Sequence, residues 1–181
     1  MDRLSDSYLL EGFVNGEPER VEVFTKHFYP KVRSLVYKLV RNDDVSKDIT
    51  QDVFMIVFEK HKSFRKEAKL LTWILRIAYN QSLKFLTKNG QFFYSLDDTH
   101  YSITDETEAW QLLEEKLDVL EEAMSELTAS DQLFLELYYT NGLSIREISV
   151  IVAKSETAVK TGLSRVRKRL SEIIGTKYGE N

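Results

Sequence analysis

The sequence predicts an all-α protein made of two small helical domains joined by an acidic linker. Its 181 residues include only two prolines and seven glycines, which leaves long stretches without a helix breaker. Apolar side chains recur at steps of three and four, the spacing of one helix face, and no alternating β-branched strand of useful length is present. The expected boundaries are residues 7–90 for the first domain, 91–108 for the linker and 109–178 for the second domain.

Composition limits the possible functions. Apolar residues make up 43% and charged residues 30%, values typical of a folded protein. The absence of cysteine excludes disulfide scaffolds and thiolate metal sites. No signal-peptide pattern and no run of about 18 apolar residues is found, so a cytoplasmic protein without membrane insertion is expected.

The net charge of −4 conceals two segments of opposite sign. Residues Asp97–Glu126 contain eleven acidic residues and one lysine, whereas Lys154–Lys177 contains seven basic and two acidic residues. The basic segment is a candidate for binding an anion, although the chain as a whole is acidic.

Three helices are predicted in the first domain. The first runs from about Pro18 to Val40, and Pro30 is expected to interrupt and kink it. Asn42–Asp44 is expected to end that helix and cap the next. The second helix has a predicted core stripe of Ile49, Val53 and Ile56. A polar connection, His61–Lys69, leads to a third helix that begins near Leu71.

A mostly acidic set of residues lines one side of the second helix. They are Asp44, Asp48, Gln51, Asp52, Met55 and Glu59. Carboxylates four residues apart could bind a metal or share a proton, but His27, His61 and His100 do not share a ligand spacing, so no metal site is expected. Gln51 and Met55 among the acids favour a surface that docks on a basic protein partner. No Ser-His-Asp arrangement, phosphate-binding glycine loop or HExxH motif is present, so neither catalytic residues, a cofactor nor an enzyme is predicted.

The second domain carries a helix-turn-helix pattern. Thr128–Asp131 and Ser144–Glu147 resemble capping boxes, and Asn141-Gly142 supplies a left-handed residue between them. A short apolar helix then leads to Ser155, which opens a long basic helix. The start of that helix has free amide donors that can meet a phosphate.

The long basic helix has two distinct faces. Its predicted inner residues are Val159, Leu163, Val166, Leu170 and Ile173. Its outer residues are Thr157, Lys160, Thr161, Ser164, Arg165 and Lys168. Hydroxyls and cations donate to phosphates and base edges, so this outer face predicts DNA binding in the major groove.

Four segments in register resemble the bacterial sigma-70 family of transcription initiation factors, in its small extracytoplasmic-function (ECF) type. The first, Asp44-Val-Ser-Lys-Asp-Ile-Thr-Gln-Asp-Val-Phe54, is similar to D-x-x-x-D-x-x-Q-(D/E)-x-F. The second, Leu71-Thr-Trp-Ile-Leu-Arg-Ile-Ala-Tyr-Asn80, resembles (F/L)-x-x-W-L-x-x-I-A-x-N. Leu143–Ile148 and Ser155–Lys160 resemble the L-S-x-x-E-I and S-x-x-T-V-K of the C-terminal helix-turn-helix.

The resemblance implies a sigma factor that binds core RNA polymerase and directs promoter recognition and melting. Polymerase binding is implied for Asp44, Asp48, Gln51, Asp52 and Met55. Contact with the promoter element near −10 is implied for Phe64, Arg65, Asn80 and Lys84. Contact with the element near −35 is implied for Ser155, Thr157, Lys160, Thr161, Ser164, Arg165 and Lys168. An anti-sigma factor is an expected further partner, and the acidic linker would run through the polymerase.

Three positions depart from the family pattern. Gly162 stands where an arginine is usual, the end of the Asn80 helix is less basic than usual, and the join before Ser155 is Ala153-Lys154 where glycine is frequent.

Two other functions fit parts of the sequence. A stand-alone helix-turn-helix regulator would form a dimer on a palindromic site with half-sites about 34 Å apart. A helical interaction protein that mimics a sigma factor would use its acidic surface and have no need of Lys160 and Arg165. Charge reversal at those two positions distinguishes the second function from a sigma factor.

Overall fold

The computed structural model describes residues 5–90 and 122–178, and the regular structure in these ranges is entirely helical. The chain forms two compact units, one built mainly from its N-terminal half and one mainly from its C-terminal half. The predicted all-α class is confirmed. The predicted linker, 91–108, lies outside the described residues, so the proposed domain boundaries stay predictions.

The N-terminal unit is a bundle arranged around one long helix. Its helices are α1 (Asp6–Val14), α2 (Pro18–Val40), α3 (Asp43–Lys60) and α4 (Leu70–Lys88), with a 3₁₀ turn at His61–Ser63. Helix α2 packs against α1, α3 and α4, and α3 also packs against α4. The fully buried side chains Phe24, Phe28, Val32 and Leu35 explain why α2 is central. Helix α1 was not predicted.

Helix α2 continues without a break through Pro30, so the predicted interruption is wrong. Proline removes one backbone hydrogen bond and crowds the preceding turn. Phe28 and Val32, on either side of it, are both buried. Packing of this apolar face supplies most of the stability of such a helix, and here it outweighs the local cost.

The junction between α2 and α3 agrees with the prediction. Arg41 ends α2 in a left-handed conformation with φ of 52°, and the Asn42 side chain accepts a hydrogen bond from the Val45 N–H at 3.0 Å. In α3, Ile49 and Val53 are buried as expected. Ile56 is only half-buried, and Val57 takes the next place in the core.

The C-terminal part of the chain contains helical residues 122–125, then α5 (Ala129–Leu135), a π-helical turn (Glu136–Thr140), α6 (Ile145–Val152) and α7 (Glu156–Tyr178). Its core cluster comprises Ala123, Leu127, Leu135, Val166 and Leu170, with Ile173 packed against it. Val159 and Leu163 are also buried. The predicted inner face of α7 is therefore confirmed.

The predicted caps of this unit form. The Asp131 N–H donates to Thr128 Oγ1 at 3.2 Å. Ser144 and Glu147 make a reciprocal pair, because the Ser144 N–H donates to Glu147 Oε2 at 2.8 Å and the Glu147 N–H donates to Ser144 Oγ at 3.3 Å. Gly142 has the expected positive φ, 62°.

Candidate functional site

The acidic face of α3 is exposed along its length. It consists of Asp44, Asp48, Gln51, Asp52 and Met55. The Asp44 side chain is 92% exposed and Met55 61%. On the opposite side of the helix, Ser46, Ile49 and Thr50 are buried. The structure thus brings all five predicted polymerase-binding residues together on one solvent-facing surface.

Ion pairs fix the start of α3 against α2. Asp43 pairs with Arg33 of α2, and the Lys47 ammonium lies 2.7 Å from the Asp43 carboxylate. Hydrogen bonds from Lys47 and Arg33 lower the pKa of Asp43 from 3.8 to about 2. The carboxylate is therefore charged at neutral pH and anchors the end of the acidic face nearest to α2. Within residues 5–90 and 122–178, no group of three or more potential ligands is arranged to hold a metal ion.

An apolar groove adjoins the acidic face, with a volume of about 310 Å³. Its lining consists of Phe13, Val21, Phe54, Met55, Phe58 and Glu59. Phe58 is 51% exposed, although it is a large aromatic residue. Sequence reasoning missed this groove, but Phe54 and Phe58 are four residues apart and lie off the predicted core stripe, which is a usable signal. Met55 belongs to both the acidic face and the apolar groove, so these two surfaces form one continuous area.

The segment between α3 and α4 presents the second predicted set of residues. Phe64 is half-buried, with its ring centroid 5.5 Å from that of Trp73, whereas Arg65 is exposed. On α4, Asn80 and Lys84 are exposed one turn apart. Arg76, also exposed and one turn before Asn80, was not predicted from the sequence. It lies at the same helical spacing and extends the same face.

Charge differs sharply between the two surfaces of the N-terminal unit. Residues 60–88 contain eight basic residues and one acidic residue. The acidic face of α3 has no basic member. A surface of each sign on one small bundle is suited to contact two chemically different partners.

Helices α6 and α7 are joined by a short turn. Ala153 adopts φ of 54°, the left-handed conformation that glycine favours. The Ser155 hydroxyl then accepts a hydrogen bond from the Ala158 N–H at 3.1 Å, which caps α7. The order of capped short helix, left-handed turn and capped long helix is that of a helix-turn-helix.

The outer face of α7 is only partly open. Thr157, Lys160 and Lys168 are exposed, Thr161 and Ser164 are half-buried, and Gly162 is buried. Lys168 lies 3.9 Å from Glu172. The predicted face therefore exists, with Lys160 as its most prominent cation.

Three arginines of α7 are engaged by other parts of the C-terminal unit. Arg165 and Arg169 lie 3.5 Å and 2.6 Å from the carboxylate of Asp131, which is 1% exposed. Arg167 donates to the Tyr139 hydroxyl at 2.8 Å. Arg165, predicted to contact DNA, is thus held against α5 in this structure. The sequence did not reveal this pairing, because Asp131 reads as a capping residue.

Two family models match the chain. "Sigma-70 region 2" matches residues 24–92, and "Sigma-70, region 4" matches residues 117–170, so together they span about two thirds of the 181 residues. The chain belongs to the sigma-70 family. The sigma factor is 24% identical over 184 residues to the ECF RNA polymerase sigma-E factor of Haemophilus influenzae (96% of this chain, 97% of the relative). It is 26% identical to the same factor of Escherichia coli K12 (96% of each chain), which agrees with the ECF type.

Two solved structures share its fold. A sigma factor RpoE from Bartonella quintana, in complex with the anti-sigma factor NepR, matches with a TM-score of 0.61 and 22% identity (87% of this chain, 98% of that one). CnrH, in complex with the cytosolic domain of CnrY, matches with a TM-score of 0.62 and 16% identity (95% of this chain, 98% of that one).

Family membership gives the general activity. The sigma factor acts in transcription initiation, with core RNA polymerase and promoter DNA as its partners. Sigma factors are regulators of transcription and not enzymes. None of the helices in the described ranges is long and apolar enough to cross a membrane.

Proposed function

We propose that the sigma factor divides its contacts among three surfaces. The acidic face of α3 binds core polymerase, the 61–69 segment with α4 contacts the −10 element, and α7 contacts the −35 element. The observation that carries this proposal is the separation of charge in the N-terminal unit, where α3 presents acids and residues 60–88 present cations.

Polymerase binding is supported by the combination of charge and apolar area on α3. Asp48 and Asp52 are exposed one turn apart, and Met55 continues their line into the apolar groove beside Phe58. A partner surface with arginines and apolar side chains satisfies both parts, because arginine pairs well with carboxylates and apolar residues fill the groove. The residues proposed to bind polymerase are Asp44, Asp48, Gln51, Asp52 and Met55.

Contact with the −10 element is supported by the exposed residues around the start and middle of α4. Arg65 and Lys84 supply positive charge for phosphates, and Asn80 supplies an amide that can hydrogen-bond a base edge. The Phe64 ring, tilted by 44° against the ring of Trp73, offers an aromatic surface for an unpaired base. We add Arg76 to this set because it lies on the same exposed face.

Contact with the −35 element is supported by the exposed start of α7. Ser155 caps the helix, and Thr157, Lys160 and Lys168 face solvent, with Thr161 and Ser164 between them. We propose Lys160 as the principal cation of this contact. Arg165 is also part of this set, but its pairing with Asp131 restricts its reach to DNA.

The net charge of −4 bears on how binding takes place. Phosphate contacts supply most of the affinity of a protein for DNA, and a chain with a net negative charge is repelled by the phosphates as a whole. Flipping a base out of the stack costs a few kcal/mol, which must be recovered by a pocket and by neighbouring contacts. We therefore expect promoter binding and melting to require the polymerase.

A gel-shift series tests the proposal. Run-off transcription with core polymerase on genomic fragments first identifies a promoter. Binding to that fragment is then measured for the free sigma factor and for the holoenzyme at ordinary salt. We expect weak binding by the free protein and tight binding by the holoenzyme. Tight binding by the free protein would contradict the proposal and favour a stand-alone helix-turn-helix regulator.

Charge reversals assign the surfaces. Asp48→Lys with Asp52→Lys should weaken co-elution with core polymerase by roughly tenfold or more, because like charges then face each other. Lys160→Glu should preserve co-elution and weaken promoter binding. Glu11→Lys, a change at an exposed acid of α1, is the control that should do neither. Full transcription by Lys160→Glu would instead favour the sigma-mimicking alternative.

The proposal extends to regulation and location. Both solved relatives are titled as complexes, one with an anti-sigma factor and one with the cytosolic domain of CnrY. We propose that an anti-sigma factor also binds this sigma factor, that it works in the cytoplasm, and that it has no catalytic step or cofactor of its own.

A further inference from the structure

Helix α4 begins without a cap from its own neighbourhood. Its N-cap residue, Lys69, provides no side-chain capping bond, and the first turn contains no acidic residue. The first turn of a helix has amide groups without helical partners and a partial positive charge, so a carboxylate there is stabilising. The start of α4 therefore depends on an acceptor from elsewhere in the fold.

Asp6, at the start of α1, supplies that acceptor. The Leu70 N–H donates to Asp6 Oδ2 at 2.6 Å, although the two residues are 64 positions apart. Leu70 itself is fully buried. The bond joins the first residue of α1 to the first residue of α4, and it is a charge-assisted contact of the stronger kind.

Helix α1 is itself fixed on α2, so Asp6 is a firm anchor. The rings of Phe13 and Phe24 stack with centroids 4.2 Å apart. Arg20 donates to the Tyr8 carbonyl at 3.1 Å, and its guanidinium lies 4.4 Å from the centroid of the Tyr8 ring. A Cβ at Gly12 would collide with Arg20, which shows how closely the two helices approach.

The 61–69 segment, which carries Phe64 and Arg65, ends next to Leu70, the residue that Asp6 caps. At its start, the 3₁₀ turn continues from α3, and the Phe64 N–H donates to the His61 carbonyl at 3.1 Å. In its middle, Lys66 adopts a left-handed conformation with φ of 59°. At its end, Asp6 holds Leu70. The segment is thus fixed from both sides, and α1 provides one of the two supports.

We propose that Asp6 is a positioning residue for promoter melting. By capping α4, it holds the 61–69 segment and the α4 face in the arrangement that receives the opened −10 strand. This inference rests on the proposed −10 contact. Asp6 acts through Leu70 and does not itself touch DNA.

The test compares duplex and pre-melted templates. Asp6→Ala, Asp6→Asn and the control Glu11→Ala are assembled with core polymerase, and run-off transcription is measured on a duplex promoter and on one pre-melted across the −10 element. With Asp6→Ala we expect roughly a three- to tenfold loss on the duplex, the range that removal of one capping bond produces. On the pre-melted template the loss should shrink to about twofold or less, because the cost of unpairing has been removed.

The two other variants separate capping from general damage. Asp6→Asn keeps a carbonyl oxygen that can accept from Leu70, so it should recover most of the duplex activity. Glu11→Ala removes an exposed acid from the same helix and should match the unchanged protein. An equal loss on both templates, or no loss by Asp6→Ala, would overturn the inference.

The outcome is distinguishable from failure of the proposed −10 contact. If Arg65→Ala and Lys84→Ala leave duplex activity unchanged, the −10 assignment fails whatever Asp6 does. If those variants lose activity and Asp6→Ala does not, only the positioning role of Asp6 fails.

Discussion

Helices α4 and α7 are both proposed to contact the promoter, yet they use their cations differently. In α7, Arg165 and Arg169 pair with the buried Asp131, and Arg167 bonds to Tyr139. Around α4, Arg65, Arg76 and Lys84 are exposed and have no ion-pair partner among the described residues.

The difference shows that basic residues counted in a sequence are not all available to DNA. The α7 segment is conspicuously basic in composition, but its arginines largely fasten the helix to α5 and to the π-helical turn. The α4 surface presents its cations to solvent. We infer that α7 is held rigidly for reading a duplex, whereas α4 supplies more of the phosphate attraction.

The largest expected effect concerns the Asp131 pairing. Asp131→Ala removes the carboxylate that Arg165 and Arg169 contact and leaves a cavity beside them. Removing one partner of a fully buried ion pair lowers the free energy of unfolding by about 3–5 kcal/mol. The two arginine side chains are 22% and 45% exposed and can turn toward water, so we expect a lower cost of about 2–3 kcal/mol in urea unfolding.

Glu172→Ala is the matched control for this change. It removes the carboxylate near Lys168, in a pair whose side chains are 59% and 64% exposed. An exposed pair of this kind contributes about 0.5 kcal/mol or less. Equal destabilisation by the two variants would mean that burial of Asp131 is not what gives the α7 arginines their structural role.

A second prediction concerns the salt dependence of holoenzyme binding to the promoter. Arg76→Ala with Lys84→Ala should reduce the slope of log affinity against log salt by about 0.7–0.9 for each phosphate that is no longer neutralised. Arg167→Ala should leave the slope unchanged, because its guanidinium is engaged by Tyr139. If Arg167→Ala lowered the slope as much, the contrast between α4 and α7 would be wrong.

The smallest expected effect concerns an exposed carboxylate that also holds two cations. Asp43 bonds Lys47 and Arg33, and its pKa is lowered to about 2 in the folded protein. A carboxyl group whose pKa is lower in the folded state stabilises that state at pH values above the pKa of the unfolded chain. This contribution of Asp43 is therefore fully present above about pH 4. It is lost as the pH falls toward 2. Asp43→Asn should therefore flatten the fall in melting temperature between pH 4 and 2, measured by circular dichroism.

Much of the fold could be predicted because local patterns and tertiary packing agree. The inner face of α7 follows from its helical spacing, and the caps at Asn42, Ser144 and Ser155 follow from residue type. Helical spacing predicted the acidic face of α3, and a family motif indicated Asn80. In each case the signal lies within a few consecutive residues.

The remainder depends on contacts between distant parts of the chain. Asp6 and Leu70 meet only after α1 packs on α2, and no local pattern links them. Asp131 and Arg169 are 38 residues apart. Pro30 was expected to interrupt and kink α2, because the rule for proline is local. The packing that keeps α2 continuous there is not local. Arg76 was missed for a simpler reason, since it lies inside a motif whose conspicuous residues are Trp73 and Asn80.

Three described residues other than glycine adopt a left-handed backbone conformation. They are Arg41, Lys66 and Ala153, with φ of 52°, 59° and 54°. Each stands at a corner of the chain: after α2, before α4, and between α6 and α7. A side chain at such a corner costs about 1–2 kcal/mol compared with a right-handed residue. It also leaves the backbone fewer alternative shapes than glycine would. The backbone of the sigma factor is therefore restrained at these three corners. The directions in which the adjoining helices leave them are narrowly defined in the free protein.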